Sequence, residues 1–163
     1  GGAAGKAGSR TYAVDVPREW RKERRGGVVQ WTDPKAQRAL RITPVAGDPL
    51  AGLRESAHAT ETYGLYPGYR LLRLEALPGD EPRAGRPRSS HPPGNTAGNA
   101  AGSAAGKGTS AAEWEFTWGT SDRRTHVLRS RTAGYEFAFH APDSRWTPSH
   151  RLYERILSTF RTE

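Results

Sequence analysis

The sequence predicts an α+β fold in which an antiparallel sheet of about six to seven strands carries two packed helices. Short apolar segments recur between turns rich in Gly and Pro, and two longer segments have the apolar spacing of a helix. Aromatic residues also alternate with polar ones along two of the predicted strands. The chain has 163 residues, a length that suits one domain rather than two.

Three short strands are predicted before the first helix. Apolar side chains alternate with polar ones over residues 11–16, and Pro17 ends that strand. Residues 28–33 and 39–45 form the next two strands, which are separated by turn residues. Tight turns between short strands are typical of an antiparallel meander.

The first helix has a sequence signal at each end. Asp48 supplies a capping side chain, Pro49 occupies the first helical position, and Gly64 stands where the helix should stop. Residues 69–77 follow as a strand with alternating faces. The two faces would carry Tyr69, Leu71, Arg73 and Glu75 on one side and Leu72, Leu74 and Ala76 on the other.

Three strands and a helix are predicted for the second half of the chain. The strands cover residues 112–118, 123–131 and 134–140, and we expect the aromatic stripes of the first and third to face one another across the ladder. Thr147 is expected to cap the last helix. The stripes are Trp114, Phe116 and Trp118 in one strand and Tyr135, Phe137 and Phe139 in the other, and the helix presents Leu152, Tyr153, Ile156, Leu157 and Phe160.

Two segments are too poor in large apolar residues to contribute to a core. Residues 78–110 are rich in Pro, Gly, Ala, Ser and Asn, and we interpret them as a disordered insertion between two strands of a single domain that spans 11–163. A linker between two domains is the alternative. Residues 1–10 are interpreted as a flexible linker.

Composition excludes several classes of function. The chain has no Cys, which excludes disulfides, thiolate nucleophiles and Cys-ligated zinc. Its five His residues have no metal-ligand spacing, so neither a metal nor a cofactor is predicted. The formal charge of +8 is spread along the chain instead of concentrated, which argues against nucleic-acid binding.

Six short motifs occur in a set order along the chain. They are Tyr-x-Val-x-Val-Pro-x-x-Trp (Tyr12 to Trp20), Val-Val-Gln-Trp-Thr-Asp-Pro (Val28 to Pro34), Pro-Gly-Tyr-Arg (Pro67 to Arg70), Ala-Glu-Trp-Glu-Phe-Thr (Ala112 to Thr117), Thr-His-Val-Leu (Thr125 to Leu128) and Ile-Leu-x-x-Phe (Ile156 to Phe160). Together these motifs resemble a known family, the C-terminal extracytoplasmic domain of actinobacterial transmembrane Ser/Thr protein kinases. The resemblance covers about residues 11–77 and 111–163.

This resemblance implies a Mog1/PsbP-like α/β sandwich that acts outside the membrane as a non-catalytic sensor. The parent chain would span the membrane and carry the kinase domain upstream, and the partner would be an envelope ligand or a protein. No Gly-rich phosphate loop, His-Arg-Asp loop or Asp-Phe-Gly motif occurs in this sequence. The alternative is a stand-alone exported binding protein, such as a lipoprotein of the same fold. The resemblance leaves the oligomeric state and the ligand open.

Two groups of residues are candidates for ligand binding. The first is a basic run that would hold an anionic polymer, a lipid head group or phosphate. The alternative interpretation of this run is a solvated loop or edge with a partly buried Trp20. The second is a groove beside three Trp residues, for which core packing is the alternative. The candidates are Arg18, Trp20, Arg21, Lys22, Arg24 and Arg25 in the run and Trp31, Trp118 and Trp146 in the groove.

No catalytic residue is predicted. Ser144 and Ser149 lie close in sequence to Asp143 and His150, but no Gly-x-Ser-x-Gly motif accompanies them. A small hydrolase is the third hypothesis, and it requires these groups to converge in the fold. His126 and His140 lie on predicted neighbouring strands and are a candidate pair that titrates together, but the favoured interpretation is that both are ordinary edge or surface histidines.

Overall fold

The computed structural model describes residues 11–78 and 109–162. The predicted linker and almost all of the predicted insertion lie outside the described residues, but the two ends of the insertion meet. Leu77 N–H donates a hydrogen bond to the Ala111 carbonyl at 2.9 Å. The elements are β1 (Tyr12–Ala13), β2 (Arg21–Arg25), β3 (Val28–Thr32), β4 (Ala39–Pro44), α1 (Pro49–Tyr63), β5 (Arg70–Ala76), β6 (Ala111–Gly119), β7 (Arg124–Thr132), β8 (Tyr135–Pro142), a 3-10 turn (Asp143–Arg145), α2 (Trp146–Leu157) and β9 (Arg161–Thr162).

A seven-stranded antiparallel sheet forms the centre of the domain. Its strand order is β2-β3-β4-β8-β7-β6-β5, and β1 pairs with β9 in a separate two-stranded sheet. Short turns join β2 to β3, β6 to β7 and β7 to β8, so neighbours in sequence are neighbours in the sheet. The predicted α+β class with two helices and an antiparallel sheet is confirmed.

The two aromatic stripes lie on opposite faces of the sheet, so the prediction that they face one another is wrong. In the β6–β7–β8 ladder Trp114 pairs with Arg129, which pairs with Ala138, whereas Phe137 pairs with Ser130. Directly paired residues share a face. One stripe packs under α1 and the other under α2, which gives the domain two cores instead of one.

The first core lies between α1 and β5–β7. Leu53 and Ala57 of the helix pack there against Trp114 and Phe116, and Leu53, Trp114 and Phe116 are fully buried. Burial of side chains of this size contributes roughly 1.5–3 kcal/mol each. The second core lies under α2 and contains Trp20, Val29, Trp31, Leu40, Ile42, Leu128, Tyr135, Phe137, Phe139, Ala141, Tyr153 and Ile156.

Both ends of α1 are as predicted. The Asp48 side chain accepts a hydrogen bond from the Ala51 N–H at 2.9 Å, and Pro49 is the first helical residue. At the other end Gly64 adopts a left-handed conformation with φ 58°.

Three local predictions are corrected. The first strand is only two residues long (Tyr12–Ala13), and the meander is formed by β2, β3 and β4 instead. The last helix begins at Trp146 after a 3-10 turn, so Thr147 lies inside the helix and does not cap it. A register shift between Leu71 and Arg73 breaks the alternation of β5, and both Leu71 and Leu72 are therefore exposed.

Candidate functional site: the uncovered groove of the sheet

A groove lies on the sheet face that carries α1, beside that helix. α1 packs on β5, β6 and β7, and the same face of β3, β4 and β8 forms the groove floor. Its volume is about 790 Å³, which is in the range of small-molecule sites. The side chains that line it and are discussed below are Gln30, Ala39, Arg41, Tyr66, Trp118, Asp122, Arg123, Arg124, Thr125, Val127, Arg129, Glu136, Ala138, His140 and Asp143.

Small side chains make this part of the sheet concave. Val127 pairs with His140, which pairs with Ala39 across the next strand. In the adjacent row Arg129 pairs with Ala138, which pairs with Arg41. Ala39 in the first row and Ala138 in the second leave space that the longer side chains of the two rows enclose.

Two aromatic rings form one end of the groove. The Tyr66 and Trp118 ring centroids are 5.4 Å apart, and Tyr66 also packs on Phe116 at 5.1 Å. Both Tyr66 and Trp118 are partly buried, so each ring packs on the core and leaves part of its surface on the groove.

The loop that presents Tyr66 is held by Arg124. Its guanidinium donates to the Gly119 carbonyl at 2.7 Å and to the Gly68 carbonyl at 2.5 Å. The Gly119 N–H in turn donates to the Pro67 carbonyl at 2.8 Å. The Pro-Gly turn is therefore fixed to the end of the β6–β7 hairpin, next to the aromatic end of the groove.

The opposite end of the groove carries Arg41 and His140. Arg41 Nε donates to the Gln30 side-chain carbonyl at 3.1 Å, which directs the guanidinium along the sheet face. Desolvation in the groove, followed by the Arg41 charge, lowers the pKa of His140 below its usual value. His140 and Arg41 are both exposed, and together they give this end a hydrogen-bonding ring and a positive charge.

The remaining charges of the groove floor are mostly compensated. Arg129 and Arg131 bind the two carboxylate oxygens of Glu136 at 2.8 and 2.7 Å. Burial opposes ionisation of Glu136, but the hydrogen bonds and charges of the two arginines outweigh it and keep the carboxyl pKa below its usual value. The Arg129 guanidinium also lies 4.9 Å from the Trp114 ring centroid.

A bridge of ionisable side chains lies on the opposite face of the sheet, and the sequence analysis did not predict it. His126 Nε2 lies 2.5 Å from Glu115 Oε2, and His126 Nδ1 lies 2.8 Å from Asp143 Oδ1. The Trp146 ring stacks on His126 at 3.7 Å. Arg73 contacts the other Glu115 oxygen at 2.7 Å. The only sequence signal was the alternation that placed Glu115 opposite the aromatic stripe.

This bridge connects the sheet to the start of α2. His126 contacts a carboxylate of the sheet through one ring nitrogen and the Asp143 carboxylate, just before α2, through the other. The hydrogen bond to His126 is the largest cause that keeps the pKa of Glu115 below its usual value. The hydrogen bond and charge of Arg73 act in the same direction, whereas burial of the carboxyl acts in the opposite direction. Asp143, which also lines the groove edge, is held in place by this contact.

The predicted basic run forms the exposed edge strand β2, outside the groove. All five residues of Arg21–Arg25 are exposed, whereas Trp20 is buried. Lys22 lies over the Trp31 ring at 5.9 Å, and Arg38 lies over the Trp20 ring at 5.8 Å. Arg21 pairs with Thr32 and Arg25 with Val28, so these two lie on the face that carries the groove. Arg18 precedes the strand and is exposed, and Arg24 pairs with Val29 on the face of the second core.

The three Trp residues of the second predicted site do not share a groove. Trp31 pairs with Leu40 on the α2 side, and Trp146 belongs to α2 itself. Trp118 lies on the other face, because it pairs with Thr125 in the row next to that of Phe116 and Val127. His126 and His140 are likewise on opposite faces, since Val127 pairs with His140 and His126 with Ala141. Only Trp118 of the three lines the groove.

The groups required for a hydrolase have separate partners. Arg38 donates to the Ser149 hydroxyl at 3.2 Å, Asp143 contacts His126, and His150 lies 3.7 Å from Glu154. The convergence of Asp143, His150 and Ser149 that the hydrolase hypothesis requires is therefore not observed. Among residues 11–78 and 109–162 no cluster of three or more potential metal ligands occurs. Within the same ranges, no helix has the length and apolarity to cross a membrane.

A known protein family matches part of the second half of the chain. Residues 96–162, less than half of the sequence, match the family described as the serine/threonine kinase C-terminal domain. The match confirms the resemblance noted in the sequence and covers β6 to β9, which include one wall of the groove and all of α2.

Two solved structures align with nearly the whole chain at low identity. LpqN of Mycobacterium tuberculosis, described as involved in cell envelope biogenesis, is 14% identical with a TM-score of 0.48, and the alignment covers 97% of this chain and 86% of LpqN. PsbP of Synechocystis sp. PCC 6803 is 15% identical with a TM-score of 0.49 and coverages of 99% and 98%. The comparison with curated protein sequences yields no match.

Proposed function

We propose that the chain is the extracytoplasmic, non-catalytic ligand-binding domain of a membrane Ser/Thr protein kinase, and that its ligand binds in the uncovered groove. The kinase-family match supports the association with a kinase. The observation that carries the proposal of a ligand site is the groove itself. It combines a hollow floor, two partly exposed aromatic rings and an Arg–His pair on one sheet face.

Binding of a ligand in the groove would affect the rest of the domain through the contacts of Asp143. That carboxylate lines the groove and contacts His126, which stacks on Trp146 at the start of α2. A ligand that engages the groove edge would thus alter the packing at the start of α2. The parent kinase would respond to a change of orientation or association of this domain.

The test is a thermal-shift screen of the purified chain with muropeptides, lipid head groups, anionic polymers and phosphate, because a ligand that binds the folded state raises its melting temperature. Ala138→Trp fills the groove floor, and Ala46→Trp, at an exposed position outside the groove lining, is the matched control. A stabilising probe is expected to lose its effect in the first variant and retain it in the second. Stabilisation that survives Ala138→Trp would contradict the location of the site.

The alternative is a stand-alone exported binding protein that uses the same groove. The coding sequence upstream of this segment separates the two proposals. A kinase domain followed by a membrane span supports the first, and a signal peptide with a lipobox Cys supports the second.

A further inference from the structure

We propose that the ligand of the groove is an acidic oligosaccharide, which stacks on Trp118 and Tyr66 and places a single acid group against Arg41 and His140. This inference rests on the proposed ligand-binding function and specifies the chemistry of that same site. It follows from the distribution of aromatic, acidic and basic groups along the groove.

The charge balance of the groove disfavours a polyanion. Its lining contains four Arg residues and three carboxylates, so the total is close to neutral. Two of the arginines are already engaged, because Arg129 binds Glu136 and Arg124 binds backbone carbonyls. A ligand with many negative charges would meet the carboxylates of Asp122 and Asp143, both of which are exposed.

The aromatic end suits the ring of a sugar. Trp118 and Tyr66 offer adjacent partly exposed rings, on which the apolar C–H face of a pyranose packs. Asp122 and Asp143 lie in the lining of this same groove and accept hydrogen bonds only, which matches the hydroxyl donors of a sugar. A simple anion would use none of these features.

The cationic end accounts for the acid group. Arg41 is exposed, and its only described hydrogen-bond partner is the neutral amide of Gln30. An acid group placed beside it would form a charge-assisted pair in a concave, partly desolvated site. Trp118 is on β6 and Arg41 on β4, three strands away in the sheet order, so the two strands lie about 14 Å apart. The residue of β6 in the row of Arg41 is Trp114, and Trp118 lies four residues further along the strand, so Trp118 and Arg41 are separated by more than this distance. A ligand that reaches both ends must therefore contain more than one ring.

The experiment compares two trisaccharides that differ in one group. The probes are cellotriose, the same trisaccharide with glucuronate at its non-reducing end, glucuronate alone and inorganic phosphate, each titrated calorimetrically into the purified chain. The acidic trisaccharide is expected to bind at least tenfold more tightly than each of the other three. Arg41→Gln should remove the difference between the two trisaccharides, and Arg70→Gln, at an exposed position outside the groove lining, is the control that should leave it unchanged.

Trp118 provides the second readout. Trp118→Leu should weaken both trisaccharides at least tenfold. If that variant does not fold, the indole N–H resonances of the unmodified chain serve instead, and the acidic trisaccharide is expected to shift that of Trp118 and not that of the buried Trp114.

Phosphate or glucuronate that binds as tightly as the acidic trisaccharide would overturn the inference, and so would the absence of saccharide binding. The proposed function survives either result if another probe stabilises the chain and Ala138→Trp abolishes that effect. Both proposals fail if no probe binds in a manner sensitive to Ala138→Trp.

Discussion

Replacement of Gly68 by Ala is expected to destabilise the domain by about 3–4 kcal/mol, far more than the same change at Gly64. Both glycines have positive φ, 73° and 58° respectively. The surroundings differ, because a Cβ at Gly68 would overlap the backbone carbonyl of Gly119, whereas a Cβ at Gly64 meets nothing within 4 Å.

The magnitude follows from two contributions. The left-handed conformation costs a non-Gly residue about 1 kcal/mol at either position. At Gly68 the Gly119 carbonyl must also move, which disrupts the Gly119-to-Pro67 hydrogen bond and the Arg124 contacts to both glycine carbonyls. A neutral hydrogen bond contributes about 1 kcal/mol and a charged one about 1.5–3 kcal/mol, so complete loss of all three would cost about 4–7 kcal/mol. A displacement that weakens them by somewhat less than half gives an additional loss of about 2–3 kcal/mol.

Urea denaturation of the two variants measures this difference. With a slope near 2 kcal/mol per M, the Gly68→Ala midpoint should lie roughly 1–1.5 M below that of Gly64→Ala at an unchanged slope. Equal midpoints would refute the argument that the turn is fixed to the β6–β7 hairpin by close backbone contact.

Three further predictions concern carboxylates with defined partners. Asp48→Ala removes the cap of α1 and should cost about 1 kcal/mol in urea denaturation at neutral pH, and Asp48→Asn should recover most of it. The folded-state pKa of Glu136 lies below its ordinary value of 4.5, so its contribution to stability is complete above pH 4.5 and is lost as the pH drops through the folded pKa. Glu136→Gln should therefore flatten the decline of the urea midpoint between about pH 5 and 3. An unchanged slope would contradict this prediction. Glu115→Gln leaves His126 and Arg73 with a neutral partner and should lower the melting temperature measured by circular dichroism more than Glu75→Gln, whose carboxylate is an exposed partner of the same Arg73.

Local sequence signals predicted several elements of the fold well. The alternation of Trp114 and Phe116 with Glu113 and Glu115 correctly predicted β6 and its buried face. The Asp48-Pro49 start and the Gly64 stop predicted α1, because both depend on the conformations of neighbouring residues. The location of a ligand site could not be predicted in this way, because its lining residues come from separate segments.

The site residues chosen from the sequence show where this reasoning ends. Trp31 and Trp118 lie in predicted strands, and Trp146 lies just before the predicted last helix. The strand register nevertheless places Trp118 on the opposite face of the sheet from the other two. A shift of one residue in pairing moves every side chain of a strand to the other face. Arg41 and His140 together form one end of the groove, but the local sequence around each gives no signal that they are neighbours.

The sequence by itself determined the helix boundaries signalled by Asp48 and Gly64, most of the strands and the α+β class. Caps, turns and alternation are properties of a few consecutive residues. Only the tertiary structure decided that the sheet has a separate core on each face, that His126 bridges Glu115 and Asp143, and that a groove remains beside α1. These features depend on which strands pair and in what register, and those contacts join residues that are distant in the chain.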